Sequence, residues 1–161
     1  MAGKSGQAPA AVFATNHKAG RDYDLLESFE AGLELKGTEI KSIRARQASL
    51  DDSFARIEDG ELFLYNMHVG AYAQGGRFNL EPTRVRKLLM HRREIDRLSG
   101  LVTQKRLALI PLRLYEQRGL IKVALAVGRG RRVFEKRDRI RERELDRQLR
   151  RSLRKDQQRL R

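Results

Sequence analysis

Cysteine and tryptophan are both absent from this 161-residue chain. Without thiols there are no disulfides, no thiolate metal sites and no cysteine nucleophile. Aromatic residues make up only 6%, and no apolar run approaches the roughly 18 residues a membrane-spanning helix needs. The stretch from Met1 to Asn16 lacks the basic-then-apolar pattern of a secretion signal, so a cytoplasmic location is expected. The three histidines, His17, His68 and His91, lie far apart with no carboxylate at metal-ligand spacing, so no metal centre is expected of them. Phosphate-loop, GxGxxG and HExxH patterns are missing. Gly128-Arg129-Gly130 has only two glycines and reads as a flexible hinge out of a strand. Asp51-Asp52 could hold magnesium in a nuclease, but consecutive acids on a strand point to opposite faces, which favours a loop or cap role. Neither an enzyme nor a cofactor is expected.

What the chain has in excess is positive charge. Lysine and arginine number 35 against 21 acids, a formal +14. That balance favours a polyanion partner, nucleic acid or an anionic membrane surface. The charge is uneven, with +9 on the 33 residues from Arg129 to Arg161 and +5 on the 128 before them. Apolar residues in that tail are few: Val133, Phe134, Ile140, Leu145, Leu149, Leu153 and Leu160. They bury too little surface to offset about 1–2 kcal/mol per residue of backbone ordering. Residues 131–161 are therefore expected to stay loose until they meet a partner. If helical, the tail has a narrow stripe of Leu145, Leu149 and Leu153 on a broad cationic surface, with Asp146 and Arg150 paired at i,i+4. A basic helix of this kind can lie on a membrane. The narrow stripe lacks aromatic anchors beyond Phe134, so RNA is the better partner and no membrane role is expected. The first 15 residues read as a flexible arm, leaving residues 16–130 to fold.

Within the body the pattern is mostly strand. Tyr23, Leu25, Phe29, Leu33 and Leu35 share one parity, while Asp24, Ser28, Glu30, Glu34 and Lys36 share the other, which predicts a long half-buried strand. After Gly37, Thr38 is placed to cap a short helix with Glu39 in its first turn and Ile40 and Ile43 facing inward. Asp59-Gly60 predicts a hairpin joining Ser53–Glu58 to Glu61–Asn66. Ala71–Pro82 reads as a long loop and Lys87–Met90 as a short strand. Ile95, Leu98, Leu101 and Val102 recur at helical spacing, with Gly100 expected to kink or end that helix. Two closing strands follow, one with Ala108, Ile110, Leu112 and Leu114 inward, the other with Ile121, Val123, Leu125 and Val127 inward. Pro111 marks an edge or a bulge, since proline cannot donate to the ladder. The fold class is thus mainly β: a small closed or nearly closed barrel, such as an oligonucleotide-binding (OB-type) barrel, with flanking helices.

Candidate binding residues cluster at Arg84, Arg86, Lys87, Arg92 and Arg93. Arginine forks suit phosphate oxygens bidentately and position a nucleic acid without reading its bases. A solvated charged face is the competing interpretation. Tyr72, Phe78 and Phe134 either stack on unpaired bases or cover local edges of the core.

Several runs also resemble a known family. In family order come Asn16-His17-Lys18-Ala19, Asp22-Tyr23, Phe29-Glu30-Ala31-Gly32, Gly37-Thr38-Glu39-Ile40-Lys41-Ser42-Ile43-Arg44 and Asp52-Ser53-Phe54. They are followed by Asp59-Gly60-Glu61, Pro82-Thr83-Arg84-Val85-Arg86-Lys87-Leu88-Leu89, Arg93-Glu94-Ile95-Asp96 and Gly130-Arg131-Arg132. From about residue 12 to 145 the chain resembles the small protein B family, the SsrA-binding (tmRNA-binding) proteins of bacterial trans-translation. The resemblance implies an OB-type barrel and a tail unstructured when free and helical when bound. It also implies binding to the tRNA-like domain of tmRNA and delivery of alanyl-tmRNA to ribosomes stalled without a codon in the decoding site. The implied partners are tmRNA, the small-subunit decoding site and mRNA channel of the ribosome, and elongation factor Tu. A ribosomal or ribosome-assembly protein that binds rRNA with an OB-type fold is the alternative.

The RNA contacts it implies are Glu30, Leu89 and Lys122, with Asn16 from the first run and Arg21 from the Gly20-Arg21 pair after it, where the family often has Arg-His. Lys41, Arg44, Arg84, Arg86 and Lys87 are further candidates. Strand parity sets Glu30 opposite the apolar face and expects Lys122 to be exposed, whereas Leu89 fits either a base contact or core packing. An acidic Glu30 cannot pair with phosphate, so it is expected to accept from a base or a 2′-hydroxyl. In the tail, Phe134 precedes Glu135-Lys136-Arg137, where the family has Asp-Lys-Arg, and these four are the expected decoding-centre contacts.

Overall fold

In the computed structural model, residues 11–131 and 140–151 are described. The chain divides into two units, Met1–Gly130 and Arg131–Arg161. The first is mainly β, with strands β1 (Ala11–Thr15), β2 (Tyr23–Leu33), β3 (Ala48–Ser49), β4 (Phe54–Glu58), β5 (Glu61–Tyr65), β6 (His68–Val69), β7 (Arg86–Leu89), β8 (Ala108–Gln117) and β9 (Leu120–Gly130). Helices α1 (Ala19–Asp22), α2 (Gly37–Arg44) and α3 (Arg92–Lys105) are interspersed. Sheet order β1-β8-β4-β5-β7-β2-β9, with β9 also paired to β8, closes six strands into a ring and leaves β1 on the outside of β8. Closure removes the open edges an unclosed sheet would expose. β3 and β6 form a separate two-stranded pair.

Alternation explains the core. In β9, Ile121, Val123, Leu125 and Val127 all join one buried cluster, as their parity predicts. Leu62 and Leu64 of β5, Leu88 of β7, Ala31 and Leu33 of β2, and Leu109 and Leu114 of β8 complete the interior. Leu98 of α3 and Ile43 of α2 are fully buried against this cluster. Each such leucine or isoleucine contributes about 1.5–3 kcal/mol by leaving water. The Asp59-Gly60 turn is as predicted, both residues holding positive φ (50° and 75°), the geometry that matches strand twist in a two-residue hairpin.

Several expectations are corrected. Ala11–Thr15, assigned to the flexible arm, is a strand paired with β8; residues 1–10 lie outside the described residues. Leu25 is exposed rather than inward, because a bulge between Leu25 and Glu27 resets the alternation of β2. A second bulge between Pro111 and Arg113 does the same in β8, so Leu109 and Leu114 enter the barrel while Ile110 is buried on the other side. Proline supplies the reason: it has no N–H for the ladder. Helix α2 begins after Lys36, whose N–H donates to Glu39 Oε1 at 3.0 Å, while the Thr38 hydroxyl donates to the Phe78 carbonyl. Gly100 neither ends nor divides α3, which closes instead at Arg106 in the left-handed conformation. Gly128-Arg129-Gly130 belongs to β9, paired with Leu25, Asp24 and Tyr23, and is no hinge.

In the second unit, residues 140–151 are helical. Asp146 and Arg150 form the expected i,i+4 ion pair at 2.9 Å, and Leu145 and Leu149 stand exposed.

Candidate nucleic-acid interface

Register gathers the distant candidates into one place. Gly32 of β2 pairs with Leu89 of β7 on one side and with Lys122 of β9 on the other, and Lys122 pairs in turn with Tyr115 of β8. Residues directly opposite in antiparallel strands share a face. Leu89, Gly32, Lys122 and Tyr115 therefore form a row across four strands on the outside of the barrel. In the next row, Glu30 and Arg113 flank Ala124. Leu89 is 50% exposed while its neighbour Leu88 fills the core, which decides between the two roles open to it in favour of the surface. Gly32 leaves the gap between the two long side chains of its row: a Cβ there would sit 3.3 Å from the Leu89 Cβ.

Glu30 is held from two sides. Lys122 Nζ donates to its Oε1 at 2.5 Å, and the Tyr115 hydroxyl donates to its Oε2. Partial burial pushes the carboxyl up, but the Lys122 and Tyr115 hydrogen bonds, with the charges of Lys122 and Arg113, outweigh it and hold Glu30 below its ordinary range. Burial, and then the bond to Glu30, raises the Tyr115 hydroxyl well above its usual value, so it remains a donor. Lys122 is only about a quarter exposed and also reaches Gln117 Oε1 at 3.3 Å, less open than parity suggested. Arg113 lies over the Tyr115 ring, 5.4 Å from its centroid. The result is an ionised acceptor with fixed orientation, beside a cation and an exposed leucine. Such a constellation suits hydrogen-bond donors and the face of an unstacked base.

A family model described as SmpB protein matches residues 13–155. The chain belongs to the SmpB family. Among its curated relatives, the SsrA-binding protein of Caldicellulosiruptor saccharolyticus is 52% identical, covering 95% of this chain and 97% of that one. That of Desulforudis audaxviator is 55% identical over 91% and 95%, and that of Latilactobacillus sakei 48% identical over 96% and 99%. A solved structure described as "tmRNA-SmpB: a journey to the center of the bacterial ribosome" contains a chain 48% identical to this one. Its TM-score is 0.62, covering 74% of this chain and 84% of that one.

The remaining candidates of this SmpB-family chain lie outside that row. Arg86 is fully buried and is corrected from a phosphate contact to a strut. It shares the inward face with Leu64 and donates to Glu39 Oε2 and the Met67 carbonyl, both at 2.7 Å, and to the Arg84 and Pro82 carbonyls at 3.1 Å. Arg84, largely buried, holds the same Glu39 carboxylate. Asn16 is likewise turned to structure: its amide donates to the Pro111 carbonyl at 3.0 Å and its oxygen accepts from the Lys18 N–H. Lys87 bonds Glu61 at 2.7 Å, Arg44 bonds Glu116 at 3.0 Å and Arg92 pairs with Asp96 at 3.3 Å. Arg21 lies 3.5 Å from Asp22, and Lys41 sits over the Tyr72 ring at 5.2 Å. Within the expected basic cluster, Arg86 is withdrawn into the core, while Arg84, Lys87 and Arg92 are each paired with a carboxylate. Phe134, Glu135, Lys136 and Arg137 lie outside the described residues.

Sequence reasoning missed Tyr115, Arg113 and Gly32. Tyr115 stands beside the inward Leu114 and so faces outward, and an isolated glycine inside a strand pattern signals close approach. Both signals were present.

Proposed function

We propose that this chain is a tmRNA-binding protein of trans-translation, working by recognition and mechanical placement without bond chemistry. The barrel is of the OB type, and its outer row of Glu30, Leu89 and Lys122 grips the tRNA-like domain. Convergence of these three residues, drawn from β2, β7 and β9, is the observation that carries this reading. Ionised Glu30 accepts from a base edge or a 2′-hydroxyl, Leu89 covers an unstacked base, and Lys122 both orients Glu30 and lies within reach of a phosphate. Bound in this way, the protein stands in for the part of a tRNA that the transcript lacks. It accompanies alanyl-tmRNA with elongation factor Tu to stalled ribosomes in the cytoplasm.

The tail, with Phe134, Glu135, Lys136 and Arg137 at its start, then enters the vacant mRNA channel. RNA phosphates neutralise its positive charge, and the order already present as helix over residues 140–151 is extended and held there. An occupied channel leaves no room for that helix, which confines action to empty decoding sites. Ordering on arrival lowers affinity but adds discrimination.

Co-purification tests the assignment: tmRNA should be enriched far above ribosomal RNA, and the reverse would favour a ribosomal or assembly protein. Lys122→Ala should weaken tmRNA binding and lower the salt slope by about one counterion if the lysine touches phosphate. Weaker binding with an unchanged slope would leave Lys122 only the task of holding Glu30.

A further inference from the structure

The segment between β6 and β7 displays an aromatic ring where burial would be the cheaper choice. Phe78 is 69% exposed, the most exposed of the large hydrophobic residues described, with Leu80 and Val85 also open. This exposure is built in. Asn79 clamps the loop by accepting from the Tyr72 N–H at 3.0 Å and donating to the Tyr72 carbonyl at 2.9 Å. The Thr38 hydroxyl holds the Phe78 carbonyl, and the far end is tied by buried Arg86 to the Pro82 carbonyl. Arg77 lies over the Phe78 ring at 5.3 Å, and Lys41 over Tyr72 at 5.2 Å. These bonds hold the backbone on both sides of Phe78, so the ring is presented to water together with the open Leu80 and Val85, and exposed apolar groups gathered in one segment mark an interaction site. The arginine beside the ring favours an anionic partner, and the open ring suits a planar group.

The loop is continuous with the Leu89 site. Along β7 the buried residues are Arg86 and Leu88, while Lys87 and Leu89 alternate outward, and the exposed Val85 just before the strand lies about 13 Å from Leu89 if the extended spacing of roughly 3.3 Å per residue continues to it. Thr38, which anchors Phe78, follows six residues after Gly32 along the adjoining strand and helix start. Charge nearby is net positive: Lys41, Arg77 and Arg84 face Glu81 and the Glu39 already claimed by Arg84 and Arg86.

We propose that Phe78 is a stacking platform for one unpaired base of the bound RNA, with Arg77 on the adjoining phosphate. This second contact rests on the reading that the outer row binds tmRNA. Base–aromatic stacking is worth about 1–3 kcal/mol, so tmRNA affinity should fall roughly 5- to 150-fold when the ring is removed.

The test is a titration of labelled tmRNA with the full chain at fixed salt, comparing wild type, Phe78→Ala, Phe78→Leu, Phe78→Trp, Arg77→Ala and Lys122→Ala. Phe78 is exposed, so thermal melts of its variants should match wild type. Phe78→Ala and Phe78→Leu should both bind at least five-fold more weakly, Phe78→Trp should bind like wild type, and Arg77→Ala should lose about one counterion of salt slope. A leucine as good as phenylalanine would make the contact simple apolar packing and overturn the platform. Unchanged binding by Phe78→Ala beside weakened Lys122→Ala would overturn this inference alone. Unchanged binding by both would overturn the tmRNA reading beneath it. Normal tmRNA affinity with lowered ribosome association would assign the loop to a ribosomal component instead, again against the proposal.

Discussion

Replacing Arg86 with methionine separates the fold from the interface. The guanidinium is fully buried, with one hydrogen bond to Glu39 and three to the carbonyls of Met67, Arg84 and Pro82. Methionine keeps most of the volume and none of the donors. Glu39, itself 4% exposed, retains Arg84 and the Lys36 N–H, and the Pro82 carbonyl keeps the Val69 N–H, which softens the loss, but the buried Met67 carbonyl and the part-buried Arg84 carbonyl lose a donor. Breaking a buried pair by removing one partner costs about 3–5 kcal/mol. For residues 11–131 the unfolding entropy is roughly 0.25 kcal/mol/K, so Tm should fall by about 12–20 °C. The assays are a thermal melt and a guanidinium titration, with tmRNA affinity measured at about 10 °C where the variant remains folded. Affinity per folded molecule should stay within about three-fold of wild type. A loss of less than about 1 kcal/mol in stability, together with a ten-fold loss of tmRNA affinity, would return Arg86 to the role of phosphate ligand and refute the reasoning.

Acid stability depends on Glu39. Burial raises its carboxyl, but Arg84, the Lys36 N–H and Arg86 outweigh that and lower it from 4.5. Its contribution is therefore complete above about pH 4.5 and lost as pH falls through the lower folded value; in Glu39→Gln that part of the acid-induced loss should disappear from guanidinium titrations between about pH 2 and 5. Gly32→Ala pushes a methyl group to within 3.3 Å of the Leu89 Cβ, and should cut tmRNA affinity several-fold while moving stability by about 1 kcal/mol or less. Leu89→Ala, at a half-exposed position, should change stability by no more than about 0.5 kcal/mol yet weaken tmRNA binding. A core-sized loss in its melt would place that side chain inside the barrel.

Much of the architecture was legible wherever alternation ran unbroken. β9 is the clearest case: every second residue from Ile121 to Val127 fills the barrel, which places Lys122 on the outside. β8 was misread because the bulge at Pro111 inserts one residue, and a slip of one reverses every later side chain. Pro111 announced a bulge without giving its phase. Leu25 failed for the same reason, with no proline to give warning. The Arg86 error has another cause. In Arg86-Lys87-Leu88-Leu89 either leucine satisfies an inward pattern, and only the choice of Leu88 carries Arg86 inside. What makes that tolerable is Glu39, 47 positions earlier, a pairing no local window contains. The site itself was half visible: parity and resemblance named Glu30, Leu89 and Lys122, but only strand register shows that Gly32 joins them and that Tyr115 fixes the carboxylate.

The division between a gripping barrel and a channel-reading tail is tested most directly by tmRNA binding of the full chain against a chain lacking residues 131–161. Equal tmRNA dissociation constants, with peptide tagging on stalled ribosomes abolished in the shortened protein, are the expected result. A collapse of tmRNA affinity on removing the tail would contradict the account, because the outer row of Glu30, Leu89 and Lys122 would then not be what holds the RNA.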